Sequence, residues 1–101
     1  MKYEVDKRKD KTVFKLMEKT LGHKIAADLK TELIFLQKEI GNQFVIDLSE
    51  VTRCDSTGLS CLLFSERLER DKKKKLHLKN VNKSVLDLMK IARLDRVFSI
   101  K

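Results

Sequence analysis

The stretch of the chain with the most chemical content is Phe44 to Phe64, FVIDLSEVTRCDSTGLSCLLF, where an apolar run passes through a polar loop into helical spacing. Ser56 and Thr57 fall where that helix starts, and a hydroxyl there can accept hydrogen bonds from the unpaired N–H groups of the first turn. Gly58 removes a side chain at the same place, so a second backbone or a phosphate can come close. A capped helix with no further role also accounts for these three residues. Asp55 can assist the cap and Asp47 can take a loop amide; as a pair they could instead share acid and base work. A serine nucleophile on such a turn calls for a GxSxG elbow with a base and an orienting acid, but the local run is CDSTG and no histidine is near in sequence. A phosphate loop of the form GxxxxGK followed by Ser or Thr is absent.

The other chemistry-bearing residues are sparse. Cys54 and Cys61 are too few for a disulfide framework, and a metal site would require His23 and His77 to converge on them by folding, so buried thiols and no cofactor are expected. The basic run Lys72 to Lys75, preceded by Arg67 and Arg70, has the charge of a nucleic-acid or lipid patch. It lies at the end of an expected helix, where cations offset the carbonyl end of the dipole, and lacks interleaved aromatics for stacking bases. A solvated helix end is the expectation, with no direct nucleic-acid contact.

These residues must be held by a small framework. At 101 residues, 42% hydrophobic and 38% charged, without proline, the chain has room for one folded domain and excludes a multidomain enzyme. The apolar runs are too short to span a membrane and the first twenty residues do not form a signal peptide, so a cytoplasmic protein is expected. Alternation over Tyr3 to Arg8 and Thr12 to Met17, around a polar turn, reads as a hairpin. Apolar residues from Ile25 to Ile40 recur at helical spacing and stop at Gly41 and Asn42, which are C-cap signals. Phe44 to Leu48 reads as a central strand covered on both faces, Thr57 to Asp71 as a helix with a surface Glu66 and Arg70 pair, and Lys75 to Lys79 as a strand. Asn82 can cap a third helix with Val85, Leu88, Met89 and Ala92 on its buried stripe, and Val97 to Ile100 closes the chain as a strand. The order β-β-α-β-α-β-α-β gives an α/β domain with a mixed sheet of four to five strands and helices packed on it.

The run IDLSEVTRCDSTGL, Ile46 to Leu59, resembles the signature of the STAS domain of anti-sigma factor antagonists (anti-anti-sigma factors), and the element order agrees from about Thr12 to Ile100, including the terminal LDRVFSI. The resemblance implies a single STAS domain over 1–101 without the usual final helix. It implies a non-enzymatic partner switch, in which the unmodified form binds an anti-sigma factor serine kinase and a serine phosphatase reverses the modification. By that resemblance Ser56 is the phosphoacceptor, with Thr57 secondary, and His23, Arg53, Cys54, Asp55, Thr57, Gly58 and Ser60 form the partner surface. The alternative it allows is a STAS subunit of a phospholipid ABC-type transport complex. One departure stands out: the family's GELD-like turn is replaced by KTLG, Lys19 to Gly22, which puts glycine in place of its acid. The formal charge of +8 also exceeds the family's expected range and points to an acidic partner surface.

Overall fold

The structure, a computed structural model, describes residues 1–101. Strands β1 (Tyr3–Lys7) and β2 (Lys11–Leu16) form the expected antiparallel hairpin, its turn closed by the Arg8 N–H on the Lys11 carbonyl. There follow β3 (Thr20–Leu21), α1 (Ala26–Glu39), β4 (Gln43–Asp47), β5 (Arg53–Cys54), α2 (Ser56–Arg70), β6 (His77–Lys79), α3 (Lys83–Ile91) and β7 (Ser99–Ile100). One sheet has the order β1-β2-β4-β6-β7, parallel from β2 onward. A separate parallel ribbon pairs β3 with β5.

Three crossovers, β2-α1-β4, β4-α2-β6 and β6-α3-β7, all advance in one direction through the sheet. Right-handed connections then place their helices on the same face. Phe14, Leu16, Phe44, Ile46 and Leu78 alternate onto that face and join Leu29, Leu33, Leu59, Leu62 and Met89 in one buried cluster. The central strand β4 is buried on both faces, as its apolar run indicates, although the helices lie on one of them. Val45 faces the other way, flanked in register by Val13 and His77; both valines are buried but stand outside the main cluster.

The contact between α1 and α2 is polar at its far end. Ser65 Oγ donates to Gln37 Oε1 at 2.7 Å, and Gln37 Nε2 donates to the Glu69 carboxylate at 2.9 Å. All three side chains are buried, and Lys72 Nζ reaches the same carboxylate at 3.0 Å. Lys72 also donates to the Gln37 carbonyl at 2.7 Å, while Lys74 reaches the carbonyls of Gly41 and Asn42. Part of the basic run thus caps the neighbouring helix by satisfying its orphan carbonyls, which corrects the reading of a merely solvated end. Gly41 does not supply a left-handed cap either, because no glycine has positive φ and Ile40 leaves α1 in an extended conformation. The Glu66 and Arg70 pair forms at 3.5 Å, but Glu66 is buried, so it is only half a surface pair.

Candidate functional site

Helix α2 begins one residue earlier than its apolar spacing indicates, because Asp55 caps it. Asp55 is extended at φ −103° and ψ 179°, and its Oδ1 accepts the Gly58 N–H at 2.8 Å. The other oxygen, Oδ2, accepts the His23 N–H at 3.2 Å and lies 3.4 Å from His23 Nδ1. The Gly58 amide, and then His23, hold the Asp55 carboxyl below the usual carboxylate range. One side chain therefore ties the start of α2 to the turn between β3 and α1.

The hydroxyls of Ser56 and Thr57 are released from the capping role expected of them. Ser56 is exposed at the first position of α2, and its hydroxyl makes no hydrogen bond within the chain; one turn on, the exposed Ser60 donates its Oγ to the Ser56 carbonyl at 3.0 Å. The Ser56 and Thr57 amides have no intrahelical acceptor, as the first N–H groups of any helix must. Gly58 has a steric reason: a Cβ there would fall on the Leu21 carbonyl of β3. Of the two approaches the sequence allowed at Gly58, a backbone makes it. Gly22 is less tightly constrained: a Cβ would lie 2.6 Å from Asp55 Oδ2, so a side chain there would have to displace the end of the Asp55 side chain.

Arg53 and Cys54 reach the site on β5, a strand of two residues that carries no periodic signal, and Arg53 is exposed. The half-buried Cys54 thiol is pushed up to about 12 by burial, with Asp55 and Cys61 adding to the effect, and the buried Cys61 thiol is also raised by burial. Neither is poised as a nucleophile. Asp47 sits apart at the end of β4, where it accepts from the Ser49 amide at 2.9 Å and Asn80 Nδ2 at 3.3 Å. Although burial opposes it, these bonds hold the Asp47 carboxyl below its ordinary value. Asp47 and Asp55 thus serve different loops and do not share a site. No three His, Cys, Asp or Glu side chains converge anywhere in the fold.

Two concavities flank Asp55. One, of about 550 Å³, runs from Lys2 and Met17 through Lys19 to Gly22, His23, Lys24 and Ile25; the other, of about 510 Å³, lies between Thr20, Thr52, Arg53, Cys54 and the start of α3 at Ser84, Val85 and Leu88. The contribution of α3 was missed from sequence. It depends on Ser84 Oγ, which donates to the Thr52 carbonyl at 3.2 Å, a long-range contact. His23, Arg53, Cys54, Asp55, Ser56, Thr57, Gly58 and Ser60 are brought to this end together, with Gly58 buried beneath it.

The five-stranded mixed sheet with three helices is a fold shared with solved anti-sigma factor antagonists. The fold matches an anti-sigma-factor antagonist (STAS) domain protein of Planctomyces limnophilus with TM-score 0.84 at 16% identity, covering 97% of this chain and 87% of that one. It matches RsbS of Moorella thermoacetica, in a serine-to-glutamate form, at 0.80 and 21% identity, covering 100% and 86%. The phosphorylated form of the Bacillus cell fate determinant SpoIIAA matches at 0.73 and 12%, covering 99% and 91%. The chain belongs to the STAS family: the family model described as "Mlab, STAS domain" matches residues 6–100. No curated protein sequence matches the chain at a significant level.

Proposed function

We propose that this protein is an anti-sigma factor antagonist of the partner-switching kind. Unmodified, it docks on an anti-sigma factor serine kinase through the start of α2 and the loop before it; phosphorylation at Ser56 ends that contact, and a serine phosphatase restores it. The observation that carries the reading is the exposed Ser56 hydroxyl at the first position of a helix already capped by Asp55. A phosphate there adds about −1.5 to −2 charges. The amides of Ser56 and Thr57 and the positive end of the helix dipole favour that charge, so the fold tolerates it. A partner contact built for a hydroxyl does not.

Thr57 is the secondary acceptor. His23, Arg53, Cys54, Asp55, Thr57 and Ser60 form the docking surface, while Gly58 acts from beneath by letting β3 close on α2. The reading is supported by solved anti-sigma factor antagonists of the same fold, one of them in its phosphorylated form. It makes the protein a cytoplasmic regulator with no catalysis of its own. The test is intact mass after incubation with ATP and the serine kinases of the same genome. One added phosphate on the wild type, absent from Ser56→Ala, supports the proposal.

The second reading, docking within a membrane transport complex, draws on a fold match to part of the murine Slc26a9 anion transporter, at TM-score 0.70 and 14% identity, covering 80% of this chain and 13% of that one. No phosphoryl transfer from any candidate kinase would move the assignment there.

A further inference from the structure

The concavity on the β3 side of Asp55 has a charge pattern that the phosphoacceptor reading does not use. Lys2, Lys19 and Lys24 line it and are all exposed. None of them enters an ion pair: those of the chain join Arg8 to Asp6, His23 to Asp55, Arg70 to Glu66 and Lys72 to Glu69. Two carboxylates share the groove, and their bonds to N–H groups leave their charge in place, so the lysines exceed them by one. Glu18 accepts the Lys2 backbone N–H at 2.7 Å, and Asp55 accepts from Gly58 and His23. The groove presents three unpaired ammonium groups, on its exposed edge, against the Glu18 and Asp55 carboxylates, around the half-buried Met17 and Ile25.

We infer that this groove receives an acidic segment of the protein partner, whose carboxylates pair with Lys2, Lys19 and Lys24 while its apolar side chains rest on Met17 and Ile25. Charge complementarity selects the occupant, and the excess of cations over the whole chain, +8, would steer an acidic partner toward it. A protein segment suits the groove better than a membrane does, because its apolar residues are recessed. The large apolar side chains that stand exposed, Tyr3 and Val5 on β1, Ile34 and Phe35 on α1 and Ile91 on α3, do not line it.

The inference deepens the partner-switching reading and rests on it for biological setting. Asp55, which lines the groove, is the residue immediately before Ser56, so a phosphate on Ser56 is placed one residue from the groove wall. Its charge repels an acidic occupant and competes with it for the lysines, so release follows from charge as well as from bulk.

The test uses the full chain labelled with ¹⁵N and a synthetic peptide alternating Glu with Leu, with a Lys and Leu peptide as the control. The acidic peptide should shift the amides of Met17 to Ile25, bind at least about tenfold more weakly as NaCl rises from about 50 to about 300 mM, and bind better than the basic control. Lys19→Glu with Lys24→Glu should abolish binding, whereas Lys19→Arg with Lys24→Arg should retain it and shows that the positions tolerate change. Shifts confined to Lys72–Lys75 or to Lys90–Arg96, or no binding, would overturn the inference. So would capture by vesicles containing anionic lipid that the double Glu variant loses. Phosphoryl transfer to Ser56 is read separately by mass, so either idea can fail while the other stands.

Discussion

Replacing Gly58 with alanine adds one methyl at the tightest point of the site, and the structure sets the balance of terms. Alanine favours a helix over glycine by about 1 kcal/mol. Against that, the new Cβ falls on the Leu21 carbonyl, a backbone atom that cannot rotate aside. Forcing such an overlap costs about 2 kcal/mol. Because the same carbonyl accepts the Asp55 N–H at 3.2 Å, moving β3 away weakens that bond, for about 1 kcal/mol more. The net expectation is a loss of about 2 kcal/mol, which lowers the urea midpoint by about 1 M and the melting temperature by about 10 °C. Far-UV circular dichroism under urea and heat reads both. Gly41→Ala is the internal control: nothing lies within 4 Å of a Cβ there, so stability should be unchanged or slightly raised. If Gly58→Ala proves as stable as the wild type, the argument that glycine is required by the approach of β3 to α2 is wrong.

Three other outcomes follow from the same structure. Lys72→Met leaves the fully buried Glu69 carboxylate without its cation and should cost about 3 kcal/mol in urea unfolding, much of it recovered in the double variant with Glu69→Leu; an unchanged midpoint for Lys72→Met would sink the coupling. Asp55 has a folded-state pKa below its unfolded value, so its contribution is present above the unfolded pKa and is lost as pH falls through the folded one. Asp55→Asn should therefore be less stable at neutral pH and lose less on acidification, and parallel pH profiles for the two proteins would contradict this. With a thiol pKa of about 12, Cys54 has about one thiolate in ten thousand at pH 8; iodoacetamide should label native Cys54 far more slowly than the urea-unfolded chain, and equal rates would refute its protection.

Legibility in the sequence followed the length of each signal. The hairpin, the three helices and the central strand carry enough periodic residues to be read directly. The ribbon of Thr20–Leu21 with Arg53–Cys54 does not, since two residues per strand cannot establish a period. Its partners lie more than thirty positions apart. The start of α2 was misplaced by one residue because Asp55, Ser56 and Thr57 are all good capping types, and only the extended backbone of Asp55 chooses among them. Gly41 looked like a helix stop by composition, yet α1 ends where Lys72, just past α2, reaches the Gln37 and Ile40 carbonyls, a contact across the fold that local sequence cannot contain. The helix-start residues were found through a motif, whereas Lys2, Lys19 and Ser84 join the site only by topology.

The position of the cap by itself bears on how modification and folding can be kept apart. Had Ser56 been the capping residue, a phosphate on its hydroxyl would have removed the bond that starts α2, and modification would loosen the helix itself. Asp55 carries that bond from one residue earlier, so the hydroxyl at 56 is free to change while the Gly58 amide stays satisfied. The same adjacency gives the change somewhere to go. A phosphate beside Asp55 puts like charge against a carboxylate that the Gly58 amide and His23 now keep ionised, which acts in the opposite sense on its pKa. His23, whose N–H and ring nitrogen face the same carboxylate, lines the lysine groove. Modification at the helix start would thus be felt on both sides of Asp55 without any element of the sheet having to move.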